Sequence, residues 1–169
     1  MAQRTIPAIE LLSLKGQALG TTDWIEVTQE RVNQFAEATN DRQWIHTDPA
    51  RAAKESPYRR TIAHGFFTLS LVPSCLLELL EIIHARLIIN CGIDKVRWPG
   101  PVPIPARIRM SAEVTDVTKT ESVFTVVVHV AFEVKGQQKP AMDAEVHYRV
   151  YAAQPRASRK GRDAQREVP

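Results

Sequence analysis

The chain is poor in cysteine and lacks the residue spacings that bind structural metals. Cys75 and Cys91 do not form a CxxC pair, and neither has other metal-binding residues clustered near it in the sequence. The later histidines, His84, His129 and His147, are too scattered to form a recognisable metal triad. These absences argue against a disulfide framework and a zinc site, so we expect no metal and a cytoplasmic protein.

The sequence also lacks the pattern of a signal peptide or a membrane span. Residues 1–20 have no cationic start followed by a long apolar run, and the apolar stretch Leu11–Leu14 is too short to cross a bilayer. The longest apolar segment, Phe66–Ile83, contains two glutamates and an internal proline. We therefore expect no membrane span.

Positive charge is concentrated at the end of the chain. Residues 154–169 contain five basic and two acidic residues, which account for the whole net charge of +3. Such a segment is more typical of a solvated, disordered tail than of a surface for nucleic acid or anionic lipid, and the preceding residues show no basic face. We predict one domain over residues 1–153, a disordered tail over 154–169, and no nucleic-acid partner.

The first half of the chain predicts short helices separated by loops. Trp24–Val27 reads as a strand, and Thr28 is a good N-cap for a helix over Gln29–Thr39. Asn40 then stands where helices commonly end in a left-handed conformation. Asp48 followed by proline predicts a second helix, which continues to about residue 54.

Apolar residues on nearly every side of Phe66–Ile83 predict a helix that is buried all round. The second half changes to the alternation of β-strands, over residues 86–96, 107–118, 123–134 and 142–150, with a turn at 136–138. The pattern predicts an α+β domain in which an antiparallel sheet wraps one central helix. A second copy of the chain would complete the cover of that helix, so we expect a homodimer.

Asp41 and His46 are the first candidates for chemistry. They are five residues apart on a predicted loop, where a carboxylate and an imidazole can share one water molecule. Gly65, at the start of the apolar helix, offers a backbone N–H to a carbonyl oxygen. By spacing alone, Asp41 and His46 are better explained as ordinary surface residues, and Gly65 as part of a tight turn into the helix. His64 fits a capping or packing role.

Four segments carry a resemblance to a known family: residues 38–49 (ATNDRQWIHTDP), 61–71 (TIAHGFFTLSL), 90–98 (NCGIDKVRW) and 101–103 (PVP). Together they resemble the MaoC-like dehydratases, also called R-specific enoyl-CoA hydratases, and within them the nodulation-protein-N-like branch. The resemblance covers Trp24 to Tyr151. It implies a hot-dog fold, usually assembled as dimers. It also implies reversible syn addition of water to a trans-2-enoyl thioester, which gives an R-3-hydroxyacyl thioester.

In this resemblance Asp41 and His46 match the catalytic pair, and Gly65 matches the glycine whose amide binds the thioester oxygen. No separate cofactor is implied, because coenzyme A or an acyl carrier belongs to the substrate, and an acyl carrier protein is a candidate partner. The chain departs from the family pattern at Asn40, where relatives usually have glycine, and at Pro73, where many have serine.

Arg59 and Arg60 stand in a loop that is often glycine-rich in the branch. Guanidinium groups pair well with phosphates, so we predict that both arginines contact phosphates of coenzyme A or of an acyl carrier.

Two other functions remain open at this point. Hot-dog domains also support acyl-CoA thioesterase activity, and a non-catalytic module that binds acyl thioesters would retain the same pocket. The close spacing of Asp41 and His46 favours the hydratase. Ser70 and Ser74 have no GxSxG context, so a serine hydrolase is not indicated.

Overall fold

The computed structural model describes residues 3–153, and the predicted tail over 154–169 lies outside the described residues. The elements in chain order are β1 (Arg4–Pro7), a 3₁₀ helix (Ala8–Leu14), β2 (Gln17–Thr21), β3 (Ile25–Val27), α1 (Gln29–Thr39), α2 (Trp44–Thr47), α3 (Pro49–Glu55), α4 (Gly65–Ser70), α5 (Val72–Leu79), β4 (Leu80–Ile83), β5 (Ala85–Arg97), β6 (Ala106–Thr120), β7 (Val123–Val134) and β8 (Met142–Ala152).

The main sheet is antiparallel and wraps the central helical segment. Its strands follow the order β2, β6, β7, β8, β5, and β3 pairs with β6 beside this path. On β7, alternate residues from Phe124 to Val134 are buried in the core, as the two-residue period predicted. The α+β hot-dog architecture expected from the sequence is therefore confirmed.

The central helix is shorter than predicted and is broken in the middle. It consists of α4 and α5, separated at Leu71, because Pro73 has no N–H for the helical ladder. Leu71 N–H bonds to the Thr68 carbonyl and Cys75 N–H to that of Leu71, so the two helices follow one another closely.

The predicted continuation of this helix to Ile83 is wrong. Residues Leu80–Ile83 form β4, which pairs in parallel with β1 at the start of the described chain. A strand partner some 75 residues away leaves no mark on local periodicity, so the apolar pattern alone favoured helix.

The prediction that this helix is buried on all sides is also wrong for the single chain. Phe67, Val72 and Cys75 are buried against the sheet, but Phe66 is 66% exposed and Leu77 62% exposed. Further exposed apolar residues lie on the neighbouring strand β5, namely Leu87, Ile88, Ile89 and Ile93. Within residues 3–153, no helix is long and apolar enough to cross a membrane.

The segment before β2 completes the core in a way that the sequence did not predict. Leu11 and Leu14 of the 3₁₀ helix are fully buried. This helix is only seven residues long, too short to show a clear helical period.

The helix boundaries around the candidate site follow the predicted capping residues. Thr28 accepts a hydrogen bond from the N–H of Arg31, and Asp48 accepts one from Arg51. Asn40 closes α1 with φ 59° and ψ 16°, the left-handed conformation expected there. This turn sends the chain out of α1 directly at Asp41.

The conformation of Asn40 predicts opposite outcomes for two substitutions. We expect Asn40→Gly to leave the free energy of unfolding nearly unchanged, since glycine adopts positive φ freely. Asn40→Val is expected to lower it by about 1–2 kcal/mol, because a β-branched side chain clashes in this conformation. Urea denaturation measures both, and a valine variant as stable as the parent would contradict this explanation of Asn40.

Candidate active site

The structure brings Asp41 and His46 to the same place from different elements. Asp41 follows the end of α1, and His46 lies on the single-turn helix α2. His46 Nδ1 lies 2.7 Å from the carbonyl oxygen of Ile62. A carbonyl oxygen can only accept, so Nδ1 carries the hydrogen and Nε2 is left with a free lone pair. That lone pair can accept a proton.

The segment that carries His46 is braced from behind by Gln29. The Gln29 side chain donates to the His46 carbonyl at 2.6 Å and accepts from the Thr61 hydroxyl at 2.6 Å. These bonds join α1, α2 and the strand-like segment that precedes α4. The backbone of His46 is therefore held on one side while its ring faces Asp41.

His64 completes this cluster, although the sequence favoured a capping or packing role for it. It stands at the N-cap of α4 but makes no capping hydrogen bond. Its Nε2 lies 2.9 Å from the Asp41 carbonyl oxygen, and its ring stacks on His46 with a centroid distance of 3.8 Å. Only the fold reveals this contact, because the two histidines are 18 positions apart in the sequence, with α3 and a loop between them.

The polar atoms of the cluster are spaced for a shared small molecule. One side-chain atom from each of Asp41, His46 and His64 lies within 4.8 Å of the others. Two hydrogen bonds of about 2.8 Å, meeting at an angle at one water oxygen, span a gap of this size. The Asp41 side chain is 55% exposed, so the site opens to solvent on that side.

The same three residues are a poor match for a metal ion. The rings of His46 and His64 are stacked with an angle of 28° between their planes. A histidine binds a metal along the plane of its ring, and two nearly parallel planes do not aim at one ion close to both nitrogens. Metal ligation would therefore require the stack to open.

The surroundings of His46 keep its imidazole neutral at pH 7. Burial lowers its pKa below the usual 6.5, and the proximity of His64 acts in the same direction. The hydrogen bond to Ile62 and the charge of Asp41 oppose these effects without cancelling them. A neutral imidazole with a free Nε2 is the form that removes a proton from water.

Gly65 begins α4, and its backbone N–H has no acceptor within the helix. Trp98, just after β5, donates from Nε1 to the Gly65 carbonyl at 3.0 Å. A Cβ atom on residue 65 would lie 2.8 Å from Cε2 of the same indole. Trp98 therefore requires glycine here, and it is a site residue that reasoning on the sequence missed.

Two cavities adjoin the cluster. One, of about 440 Å³, is lined by Asp41 and His64, and the other, of about 250 Å³, by His46, Gly65 and Trp98. A third cavity of about 310 Å³ has mostly leucine, isoleucine and valine walls and shares Pro73 and Asn90 with the first. The third cavity therefore adjoins the first beside the central helix.

The serines near Pro73 are occupied by local hydrogen bonds. Ser74 donates to the Leu71 carbonyl at 2.9 Å, and Ser70 donates to the Phe67 carbonyl at 2.7 Å. Pro73 itself lines the cavity that contains Asp41. The position where many relatives carry serine is therefore apolar in this chain.

Arg59 and Arg60 lie apart from the cluster. They line a separate depression of about 400 Å³ that shares no residue with the cavities around Asp41 and His46. Arg59 donates to the Lys54 carbonyl at 3.0 Å. Their contact with a phosphate stays a prediction.

The contact between Gly65 and Trp98 predicts a measurable coupling. We expect Gly65→Ala to lower the free energy of unfolding by about 1–3 kcal/mol, because an added methyl group overfills the space under the indole. The same change in a Trp98→Ala background should cost less. Urea denaturation of the four proteins measures this difference, and equal costs in both backgrounds would contradict the explanation.

The environment of His46 predicts its titration. We expect the pKa of the His46 imidazole to lie below 6.5, with burial as the main cause. Nitrogen-15 NMR of histidine-labelled protein follows the ring nitrogens over pH, and a His46→Gln variant assigns the signal. A midpoint at or above the usual value would show that the ring is not desolvated as described.

Comparison with known proteins connects this site to a family. Residues 11–136 match the MaoC like domain. The 3-hydroxyacyl-thioester dehydratase Z of Mycobacterium tuberculosis is 42% identical over 144 residues, which cover 84% of this chain and 95% of that protein. Nodulation protein N of Rhizobium meliloti is 38% identical over 137 residues, covering 80% of this chain and 85% of the relative.

A solved structure has the same fold at much lower identity. The R-hydratase from Pseudomonas aeruginosa superposes with a TM-score of 0.64 and 20% identity, covering 83% of each chain. The match over residues 11–136 and the identity to these two relatives show that this chain belongs to the MaoC-like dehydratase family.

Proposed function

We propose that Asp41, His46 and Gly65 carry out the reaction of this enzyme, a hydratase and dehydratase that interconverts trans-2-enoyl and R-3-hydroxyacyl thioesters. The observation that carries the assignment is that a carboxylate oxygen of Asp41 and a ring nitrogen of the neutral His46 lie within 4.8 Å of each other, a gap that one water molecule spans. The 42% identity to a 3-hydroxyacyl-thioester dehydratase supports the same reaction.

In the hydration direction, the thioester carbonyl accepts a hydrogen bond from the N–H of Gly65. The Asp41 and His46 pair removes one proton from water as the water oxygen bonds to C3. The electrons of the C2–C3 double bond move to the thioester oxygen, and the resulting enolate then takes a proton at C2 from the same pair. One water is consumed in total, and the reverse sequence dehydrates the product.

Gly65 contributes by stabilising the enolate oxygen. A preorganised backbone donor of this kind typically lowers the activation free energy by about 3 kcal/mol. The carbonyl of Gly65 is fixed by Trp98, which limits how far the peptide units at the start of α4 can turn. The short length of α4 means that this donor acts mainly through its own N–H, with little from a long helix dipole.

The cavities support an acyl thioester as the substrate. The apolar cavity beyond Pro73 and Asn90 is suited to a hydrocarbon chain, whose burial contributes about 0.8 kcal/mol per methylene group. The thioester would then lie between Gly65 and Asp41, with coenzyme A or an acyl carrier outside. No further cofactor takes part in this scheme, and Arg59 and Arg60 are proposed to meet the phosphates of the carrier.

We propose that the chain assembles as a homodimer, and the exposed apolar residues on the helix and the edge strand support this proposal. Phe66 and Leu77 lie on the open side of the helix, and the isoleucines of β5 lie on the strand at the edge of the main sheet. An edge strand with apolar side chains is suited to pairing with a second copy. We propose that residues 1–153 form the domain that dimerises in the cytoplasm and that an acyl carrier protein is one source of substrate.

An assay with trans-2-enoyl-CoA tests the function. We expect the conjugated double bond to disappear on addition of the protein, without release of free thiol. Asp41→Asn is expected to lower kcat by about 10²–10⁴-fold, the usual contribution of a general acid or base. Glu30→Gln, the same kind of change at an exposed residue of α1, is the matched control and should retain activity.

The two alternative functions give other results in the same assay. Thiol release would indicate a thioesterase, which attacks C1, and binding without turnover would indicate a non-catalytic module. Full hydration activity in Asp41→Asn would show that the proposed pair does not carry the reaction.

A further inference from the structure

We propose that His64 is a positioning residue, which sets the distance between Asp41 and the His46 ring without itself touching the substrate. This inference rests on the proposed function, because it concerns the geometry of the same pair. His64 contacts both members: it donates to the carbonyl of Asp41 and stacks on the ring of His46.

The loop that carries Asp41 depends on His64 for a connection to the rest of the fold. The neighbouring bonds of this loop are local: Thr39 bonds to Phe35 within α1, Arg42 pairs with Glu37, and Thr47 bonds back to Arg42. The bond from His64 to the Asp41 carbonyl, in contrast, joins residues 23 positions apart and reaches the start of α4. It therefore places Asp41 relative to the central helix.

The ring of His46 needs a second restraint besides its bond to Ile62. The covalent link through Cβ and the hydrogen bond at Nδ1 hold the imidazole along one edge, and neither supports the face of the ring. The stack on His64, at 3.8 Å between centroids, fixes the face of the ring as well. Together these contacts fix the direction in which Nε2 of His46 points.

The His64 side chain is itself held in place by its neighbours, as a residue that positions others must be. It is 3% exposed, and the ring of Phe35 lies 5.1 Å from its own ring. Phe35 in turn packs edge-on against Phe67 of α4, with centroids 5.7 Å apart. The imidazole thus lies within a packed aromatic cluster that ties α1 to α4.

The surroundings of the two ring nitrogens of His64 argue against a direct catalytic role for this residue. Nε2 carries a hydrogen that the Asp41 carbonyl accepts, since a carbonyl has no proton to donate. Nδ1 is buried and has no hydrogen-bond partner among the described residues. Nε2 is thus engaged with Asp41 and Nδ1 is shielded by burial, so neither nitrogen is placed to exchange a proton with a substrate in the cavity.

Two substitutions at residue 64 distinguish the effect of the hydrogen bond to Asp41 from the effect of the ring that packs against His46. His64→Phe keeps an aromatic ring against His46 but has no donor for the Asp41 carbonyl. His64→Gln loses the stack but places an amide N–H near the former position of Nε2. His129→Gln, the same change in a histidine paired with Asp143 on the sheet, is the matched control.

Steady-state kinetics with a trans-2-enoyl-CoA then tests the inference. We expect His64→Phe to lower kcat by about 100-fold with KM nearly unchanged, because a small misplacement of catalytic groups costs about that much. His64→Gln should recover about tenfold of this loss, since the bond to Asp41 is restored. His129→Gln should behave like the parent.

Three outcomes would overturn the inference: kcat unchanged in both variants, an equal loss of kcat in both, or a change confined to KM. Circular dichroism checks that the variants are folded. If His64→Phe does not fold, His64→Ala replaces it as the variant without a donor, and equal kcat values for the alanine and glutamine variants would overturn the inference. Asp41→Asn is run alongside, because full activity there would reject the proposed function itself.

Discussion

The hydrogen bond from His46 Nδ1 to the Ile62 carbonyl is the interaction on which the candidate site depends. It joins α2 to the segment that leads into α4, and so brings together two parts of the chain that are separate in the sequence. It also fixes the tautomer of His46, which leaves Nε2 free. The Gln29 side chain, which bonds to the His46 carbonyl and to the Thr61 hydroxyl, braces the same junction from behind.

The fold places the candidate site beside an apolar cavity. The sheet covers one side of α4 and α5, and the break at Leu71 brings Pro73 to the wall of the cavity beside Asp41. In the proposed reaction, the chemistry takes place at the start of α4, where backbone N–H groups are free, and the apolar cavity lies along the side of the helical segment. The proposal thus assigns binding and reaction to different stretches of one helical segment.

Much of this architecture could be predicted from the sequence, because it follows from local rules. The caps at Thr28 and Asp48, the left-handed Asn40 and the alternating strands β7 and β8 all occur where the pattern places them. β4 could not be predicted, since its partner β1 lies far away in the sequence, at the start of the described chain. The break in the helix was marked by Pro73, but its exposed face depends on tertiary packing.

The candidate site, too, has some features that the sequence predicts and others that only the fold shows. Asp41, His46 and Gly65 were predicted as site residues from residue types and a family resemblance, whereas the contacts of His64 and Trp98 exist only in three dimensions. Burial also sets the direction of the pKa shift of His46, and burial cannot be read from a motif. Arg59 and Arg60 were predicted to contact phosphates because of their charge. The structure places them in a depression separate from the cluster, and their contact with a phosphate stays a prediction.

The central claim is that one cluster, on one side of the substrate, handles both the proton from water and the proton at C2. The most direct measurement is to hydrate a trans-2-enoyl-CoA in deuterium oxide and to determine by NMR the relative configuration at C2 and C3. One cluster on one face predicts syn addition, with deuterium and hydroxyl on the same face. Anti addition would contradict the account, because it requires groups on both sides of the double bond.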